Sequence, residues 1–250
     1  MSYQNLEDVL QTVPSPVQLL RNSQIGPYAF PVVRSEFTNW RDEQRAWKET
    51  CALLDQSHHM TDLYLDGPDA LRLLSDLGIN SFSHFNVNQA KQFVACNHGG
   101  YVIGDAILFY LDTDKFNLVG RPPAANWVQY QAESGKYKVS ATRDERSAVN
   151  QGRRRTFRYQ IQGPKALAVM EKVLGRPAPD IRFFNMDVVR IAGHDIRALR
   201  HGMVGQPGWE IFGPWEHADA VRDAIVAAGK EYGMRQVGSR AYPTTCLESG

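Results

Sequence analysis

In LLDQSHHMTDLYLDGPDALRLL, residues 53–74, a glutamine and two adjacent histidines (Gln56, His58, His59) stand directly before leucines that belong in a core. Imidazoles bind metals, move protons or orient polar ligands, and a glutamine amide both donates and accepts. A metal fits poorly here. Adjacent strand residues point to opposite faces, and no carboxylate or cysteine stands at a recognised ligand spacing. If strand alternation holds, only one of the two histidines can face a pocket. On this segment alone, one packed and one solvated histidine is an equal reading.

Two further stretches carry groups suited to chemistry. LRHGMVGQPGWEIFGP (199–214) spaces Gly202, Gly205 and Gly208 ahead of Trp209 and Glu210. Such glycines let backbone approach a flat ligand, and the glutamate can present two acceptor oxygens. On spacing alone, a glycine-rich hairpin with an exposed acid is the stronger reading. VGSRAYPTTCLESG (237–250) holds Ser239, Arg240, Tyr242 and Glu248 in an irregular, proline-containing segment. Tyr242 could donate a proton there, although a half-buried packing tyrosine is the commoner case. No Gly-x-Ser-x-Gly elbow, phosphate-binding loop or dinucleotide fingerprint occurs.

The 250 residues are 43% hydrophobic and 22% charged with a net charge of +1, the range of ordinary globular proteins. That balance gives no basic footprint for nucleic acid, and no apolar run approaches the length of a membrane span. Three cysteines without CxxC spacing read as reduced thiols. The N-terminus lacks a secretory apolar core, so a cytoplasmic protein with small-molecule partners is expected, and nothing sets its oligomeric state.

The elements that must position these groups repeat. DLYLDGPDALRLLSDLG (62–78) and RYQIQGPKALAVMEKVLG (158–175) each run from an alternating strand through Gly-Pro into helical apolar spacing. Pro68 and Pro164 are expected in the first helical turn, where a missing N–H is harmless. Strand-like runs follow each unit: YVIGDAILFYL and KFNLVG, then DVVRIAGHDIRALRH and WEIFG. Amphipathic helices close each half. Strand–helix–strand–strand–helix is most of a ferredoxin-like split βαβ, so the fold class is α+β with two such modules, residues 1–150 and 151–250. The polar stretch between them, ending in RRR (153–155), reads as a connector and solvated strand lead-in.

The ordered strings DQSHHM, LDGPDAL, HGGYVIGDAILFYL, VGRPPAANW, IQGPKAL, FFNM, HGMVGQPGWEIFGP and GSRAYP resemble the tetrahydrofolate-dependent aminomethyltransferase superfamily. With RNSQIGPYAFPVV they are most similar to its branch of folate-dependent aryl methyl ether O-demethylases, and the likeness runs through essentially the whole chain. It implies an aminomethyltransferase folate-binding fold, with the superfamily's C-terminal barrel domain expected to be absent. Where aminomethyltransferases carry Asp-Asp, this chain has Gly104 and Asp105, which points away from glycine-cleavage chemistry.

The resemblance implies methyl transfer from vanillate, syringate or 3-O-methylgallate to N5 of tetrahydrofolate, in the catabolism of lignin-derived aromatics. Tyr242 would be the catalytic proton donor, with His59 beside it. Gln56 and His59 would orient the ring substituents, and Arg121 would take the carboxylate, because a guanidinium fork matches it bidentately. Glu210 would read the pterin, with Gln162, Trp209 and Tyr28 also at the cofactor. His58 is expected to be structural. The alternatives are another folate-dependent one-carbon transferase and a folate-binding protein without turnover.

Overall fold

The computed structural model describes residues 6–21, 31–151 and 154–248. Three helices, α1 (Leu6–Leu10), α2 (Pro16–Arg21) and α3 (Trp40–Glu49), precede strand β1 (Ala52–Asp55). The first module follows: β2 (Thr61–Asp66), α4 (Ala70–Leu77), β3 (Gln89–Cys96), β4 (Val102–Asp112), β5 (Lys115–Gly120), α5 (Pro122–Glu133) and β6 (Ser140–Asp144). After the short α6 (Ser147–Asn150), the second module runs β7 (Thr156–Gln162), α7 (Ala166–Leu174), β8 (Met186–Ile191), β9 (His194–Arg200) and β10 (Gly208–Pro214). It closes with α8 (Ala218–Gly229), β11 (Arg235–Val237) and α9 (Thr244–Glu248).

Alternation decides which side of each sheet meets what. In β2, Leu63 and Leu65 lie under α4 and α5, packed with Leu73, Leu74 and Val128. The intervening Asp62 and Tyr64 face the other sheet. The second module repeats this, with Phe157, Tyr159 and Ile161 of β7 under α7 and α8. The two sheets meet through a separate apolar cluster: Ala90, Phe109 and Val119 from the first, Met186, Leu199 and Phe212 from the second. The result is four layers, helices outside and sheets inside. Burying both faces of a sheet is what permits charged residues in the middle of strands, where they must find partners.

The Gly-Pro repeat has a conformational cause. Gly67 and Gly163 adopt φ of 147° and 126°, and the carbonyl of each accepts from the amide three residues on, Ala70 and Ala166, at 3.0 Å. Pro68 and Pro164 therefore occupy the second position of a turn and stand before the helix caps Asp69 and Lys165, not in the first helical turn as expected. A β-carbon at Gly67 would sit 2.4 Å from the Lys138 carbonyl oxygen.

Each module has three strands between its helices, where two runs were expected. The first sheet is ordered β3-β4-β5-β2-β6, a split βαβ with one more antiparallel strand. In the first module the added strand is β3, whose QAKQFVAC is too polar at its start to show its alternation. In the second module, DVVRIAGHDIRALRH splits at Ala192 and Gly193, which both take positive φ, 51° and 82°, and turn the chain between paired Ile191 and His194.

The second sheet is ordered β11-β1-β7-β10-β9-β8. Residues 52–55 thus join the sheet of the second module, antiparallel to β7 and parallel to β11, although they precede the first module in sequence. Beneath them α3 packs Ala46 and Trp47 on Leu54, Val237 and Ala241. The RRR run is also more than a solvated lead-in. Arg154 is 6% exposed and ion-paired to Asp62 and Asp144. No helix among the described residues is long and apolar enough to cross a membrane.

Candidate functional site

Residues 56–60 carry the chain from the second sheet to the first. They form a bent connection, not a strand, and it is stitched to β7. The Gln56 amide donates to the Arg158 carbonyl at 2.9 Å, and the Ser57 hydroxyl accepts the Arg158 N–H at 2.9 Å. With the backbone held, the Gln56 side chain donates Nε2–H to Tyr242 Oη at 3.1 Å and lies 3.7 Å from Met203 Sδ. His59 Nε2 stands 3.5 Å from the same phenolic oxygen, with the two rings edge-on at 5.2 Å.

The turn bearing Tyr242 is anchored from the N-terminal side. Its N–H donates to the Gly238 carbonyl at 3.2 Å, and Gly238 N–H donates to Glu43 of α3 at 2.8 Å. Farther along, Glu248 of α9 accepts from Trp47 Nε1 at 3.1 Å and pairs with Lys48 at 3.1 Å. The buried face of α3, Glu43 and Trp47, thus fixes both ends of the turn that bears Tyr242.

The adjacent histidines diverge. His58 is buried, with Nδ1 at 2.7 Å from Ser147 Oγ, Nε2 at 3.6 Å from Asp55 and its ring edge-on to Trp215. Burial lowers its pKa, opposed by Asp55 and reinforced by Arg154. Burial likewise pushes His59 down to about 3, helped by the positive charges of Arg154, Arg158 and Arg121. Both imidazoles are neutral near pH 7. Among the described residues, no group of three or more His, Cys, Asp and Glu side chains is placed to hold a metal.

A second group lies on the inner face of β7 and β10. Register pairs Glu210 with Gln160 and Gly208 with Gln162. Glu210, expected at the surface on spacing alone, is 6% exposed and held by Arg158 through Oε1. The glycine-rich loop between β9 and β10 is pinned over these residues. Gln160 Nε2 donates to the His201 carbonyl at 3.0 Å, and Gln162 Oε1 accepts the Met203 N–H at 3.0 Å. Gly208 admits no side chain, since a β-carbon would sit 2.5 Å from Gln160 Nε2 and 2.7 Å from the His201 carbonyl oxygen. Met203 then reaches Gln56, so one loop touches both groups.

The expected site residues do not all converge. Gln56, His59 and Tyr242 meet; Glu210 and Gln162 share a face one loop away. Arg121 is the exposed N-cap of α5 and makes no side-chain cap bond, but its charge is felt at His59. Trp209, expected at the cofactor with Glu210, points to the opposite face of β10, where it is 2% exposed in the core under α7 and α8. Strand alternation makes this unavoidable once Glu210 faces inward. Tyr28 lies outside the described residues. Sequence reasoning missed Arg158, Asp62, Glu43 and Met203. For Arg158, the only signal was FRYQIQ, where polar residues alternate with apolar ones as on a half-solvated strand.

Two cavities adjoin these groups without containing Tyr242 or Glu210. One of about 400 Å³ between the sheets is lined by Tyr64, Asn117, Arg155 and Phe212; one of about 550 Å³ is lined by Asp55, His58, Tyr159 and Trp215. The side-chain constellation defines the candidate site better than these concavities do.

The architecture is two-sheet α+β, with a phenol, an amide and a neutral imidazole where the chain crosses between the sheets. The chain belongs to the GCVT N-terminal domain family, which matches residues 17–250. It is 51% identical over 247 residues to "Syringate O-demethylase" of Sphingobium sp. strain SYK-6, covering 98% of this chain and 54% of that protein. It is 31% identical over 236 residues to "Aminomethyltransferase" of Caldanaerobacter subterraneus, covering 92% of this chain and 60% of that one. The crystal structure of glycine cleavage system aminomethyltransferase T from Bartonella henselae superposes with a TM-score of 0.70 at 20% identity, over 92% of this chain and 60% of that chain, and shares the fold. The chain spans between half and two thirds of the length of these relatives.

Proposed function

We propose that the protein moves the methyl group of a methoxylated benzoate (syringate, vanillate or 3-O-methylgallate) to N5 of tetrahydrofolate and releases a phenol. The observation carrying this reading is the meeting of Gln56 and His59 around the single phenolic oxygen of Tyr242. The 51% identity to a syringate O-demethylase supports it.

Tetrahydrofolate, when bound, supplies a secondary amine able to accept a methyl group. The remaining work falls to side chains. A departing phenoxide is a poor leaving group unless protonated; Tyr242 Oη–H would donate that proton, and the proton given up by the amine on methylation would restore the phenol. Phenols share a pKa near ~10, so the transfer is nearly balanced. Gln56 Nε2–H already points at Tyr242 Oη and stabilises the negative charge left there. His59, neutral near pH 7, orients Tyr242 without contributing a cation. Arg121 takes the benzoate carboxylate through its planar fork.

The residues present fit a pterin. Its 2-amino and N3–H groups form a donor edge, which the buried Glu210 carboxylate complements. Gln162 is fully buried, and its Nε2 has no hydrogen-bond partner among the described residues. Leaving such a buried group unpaired costs ~1–3 kcal/mol, which an acceptor on the ligand would offset. The resemblance places Gly104 and Asp105 where aminomethyltransferases carry Asp-Asp, which speaks against aminomethyl transfer. Three free cysteines fit a reducing cytoplasm.

The test is incubation with tetrahydrofolate and each methoxybenzoate, with the demethylated phenol and 5-methyltetrahydrofolate quantified together. Equal amounts of the two products are expected. Formaldehyde in place of 5-methyltetrahydrofolate would refute the reading.

A further inference from the structure

Glu210 ends a buried chain of charges that begins in the other sheet. Arg158 Nη1 holds its Oε1, and Arg158 Nη2 reaches Asp62 Oδ1 at 3.3 Å. Asp62, on β2, also accepts from Asn117 Nδ2 at 2.8 Å and from Arg154 Nη2 at 2.5 Å. Arg154 continues to Asp144 at 3.2 Å. Signs alternate along Asp144–Arg154–Asp62–Arg158–Glu210, and all five residues are buried. Phe109 of the first sheet and Phe212 of the second flank the Arg158 guanidinium, with ring centroids 4.7 and 4.8 Å from its carbon.

Stability alone is a weak reason for such a chain, because well-packed apolar residues often do as well. Its far end is also incomplete. Glu210 Oε2 is not held by Arg158 and faces His201 Nδ1 at 3.7 Å, too far for a good hydrogen bond. A carboxylate fixed through one oxygen and open at the other is prepared for a donor.

Resting on the reading that Glu210 meets a pterin donor edge, we propose that Arg158 is a positioning residue for that recognition. It holds Oε1 of Glu210 so that Oε2 is turned to the ligand, and Asp62 of the opposite sheet fixes Arg158 in turn. Ligand recognition on one sheet thereby depends on a carboxylate from the other. The charged and titratable groups facing Glu210 are Arg158 from β7, His201 from the loop after β9 and, through Arg158, Asp62 from β2. Without Arg158, nothing on β7 fixes Oε1, and the carboxylate is free to turn Oε2 away from the donor edge.

Tetrahydrofolate binding followed by tryptophan fluorescence tests this. Arg158→Met should weaken binding about tenfold or more, and Arg158→Lys, which restores the cation without the fork, should recover all but about threefold of the loss. Asp62→Asn should weaken binding in the same direction, by less. In a Glu210→Gln background Arg158→Lys should change the remaining affinity less than about twofold, because the carboxylate it positions is gone. Unchanged affinity in Arg158→Lys, or an equal loss with and without Glu210→Gln, overturns the proposal, and both outcomes are readable even if Arg158→Met does not fold. If the wild-type protein does not bind tetrahydrofolate, the functional reading fails instead.

Discussion

Glu43 and Gly238 stand 195 residues apart in sequence and meet in a 2.8 Å hydrogen bond from the glycine amide to the glutamate carboxylate. The other oxygen of Glu43 accepts the amides of Phe37 and Thr38 at 2.6 and 2.7 Å. One fully buried carboxylate therefore serves three backbone donors and holds the turn on which Tyr242 sits.

Glu43→Ala leaves those three amides without their acceptor. At ~1 kcal/mol or more for each, the loss should be about 3 kcal/mol or greater, read as a lower urea midpoint. Glu43→Gln keeps one carbonyl acceptor and should lose less. A midpoint within error of wild type for Glu43→Ala would show that the turn is held by other contacts.

Tyr242→Phe removes only the phenolic oxygen and its proton. Demethylation should fall by ~10²–10⁴, the usual span for a lost general acid, while tetrahydrofolate affinity stays unchanged. Single-turnover formation of 5-methyltetrahydrofolate measures the first and equilibrium binding the second. Near-normal turnover would remove Tyr242 from the chemistry.

His59 makes stability depend on pH. Its pKa falls from 6.5 in the unfolded chain to about 3 on folding. Between those values the unfolded state holds a proton that the folded state lacks, so stability is full above about pH 6.5 and declines as pH falls. His58, lowered in the same direction, adds to the slope. Between pH 7 and pH 5 the His59→Gln variant should lose about 1–2 kcal/mol less than wild type in urea unfolding. Parallel losses in the two proteins would contradict an imidazole held neutral by folding.

Arg121→Lys exchanges a planar fork for a point charge. KM for syringate and vanillate should rise about tenfold, whereas guaiacol, with no carboxylate, should change less than about twofold. Because the Arg121 side chain makes no cap bond to α5, unfolding midpoints should not move. Equal losses on vanillate and guaiacol would assign Arg121 a structural role.

The two-module plan was legible because Gly-Pro marks each strand-to-helix turn, and because Gly67 and Gly163 occupy backbone conformations that a side chain would strain. Strand β3 was hidden by its polar start, and the β8–β9 turn by the apolar residues around Ala192. Of the candidate site, Gln56, His59 and Tyr242 were reachable through their resemblance to known strings. Arg158, Asp62 and Glu43 were not, since charged residues in strands and helices read as solvent-facing. Their partners lie 52 and 96 residues away for Arg158 and 195 away for Glu43, distances over which local spacing carries no information.

The place of β1 between β7 and β11 also bears on how the chain is made. All strands of the first sheet have been synthesised once residue 144 is added. β1 is synthesised before any of them, gains β7 only with residues 156–162, and lacks its last neighbour until residues 235–237 appear. At ~5–20 residues per second, the earliest strand waits roughly 10–40 s for its full pairing. An unpaired edge is a template for any passing strand. A chain cut short and released between residues 163 and 234 would have β1 bound on one side and bare on the other, a form prone to recruit a strand from elsewhere.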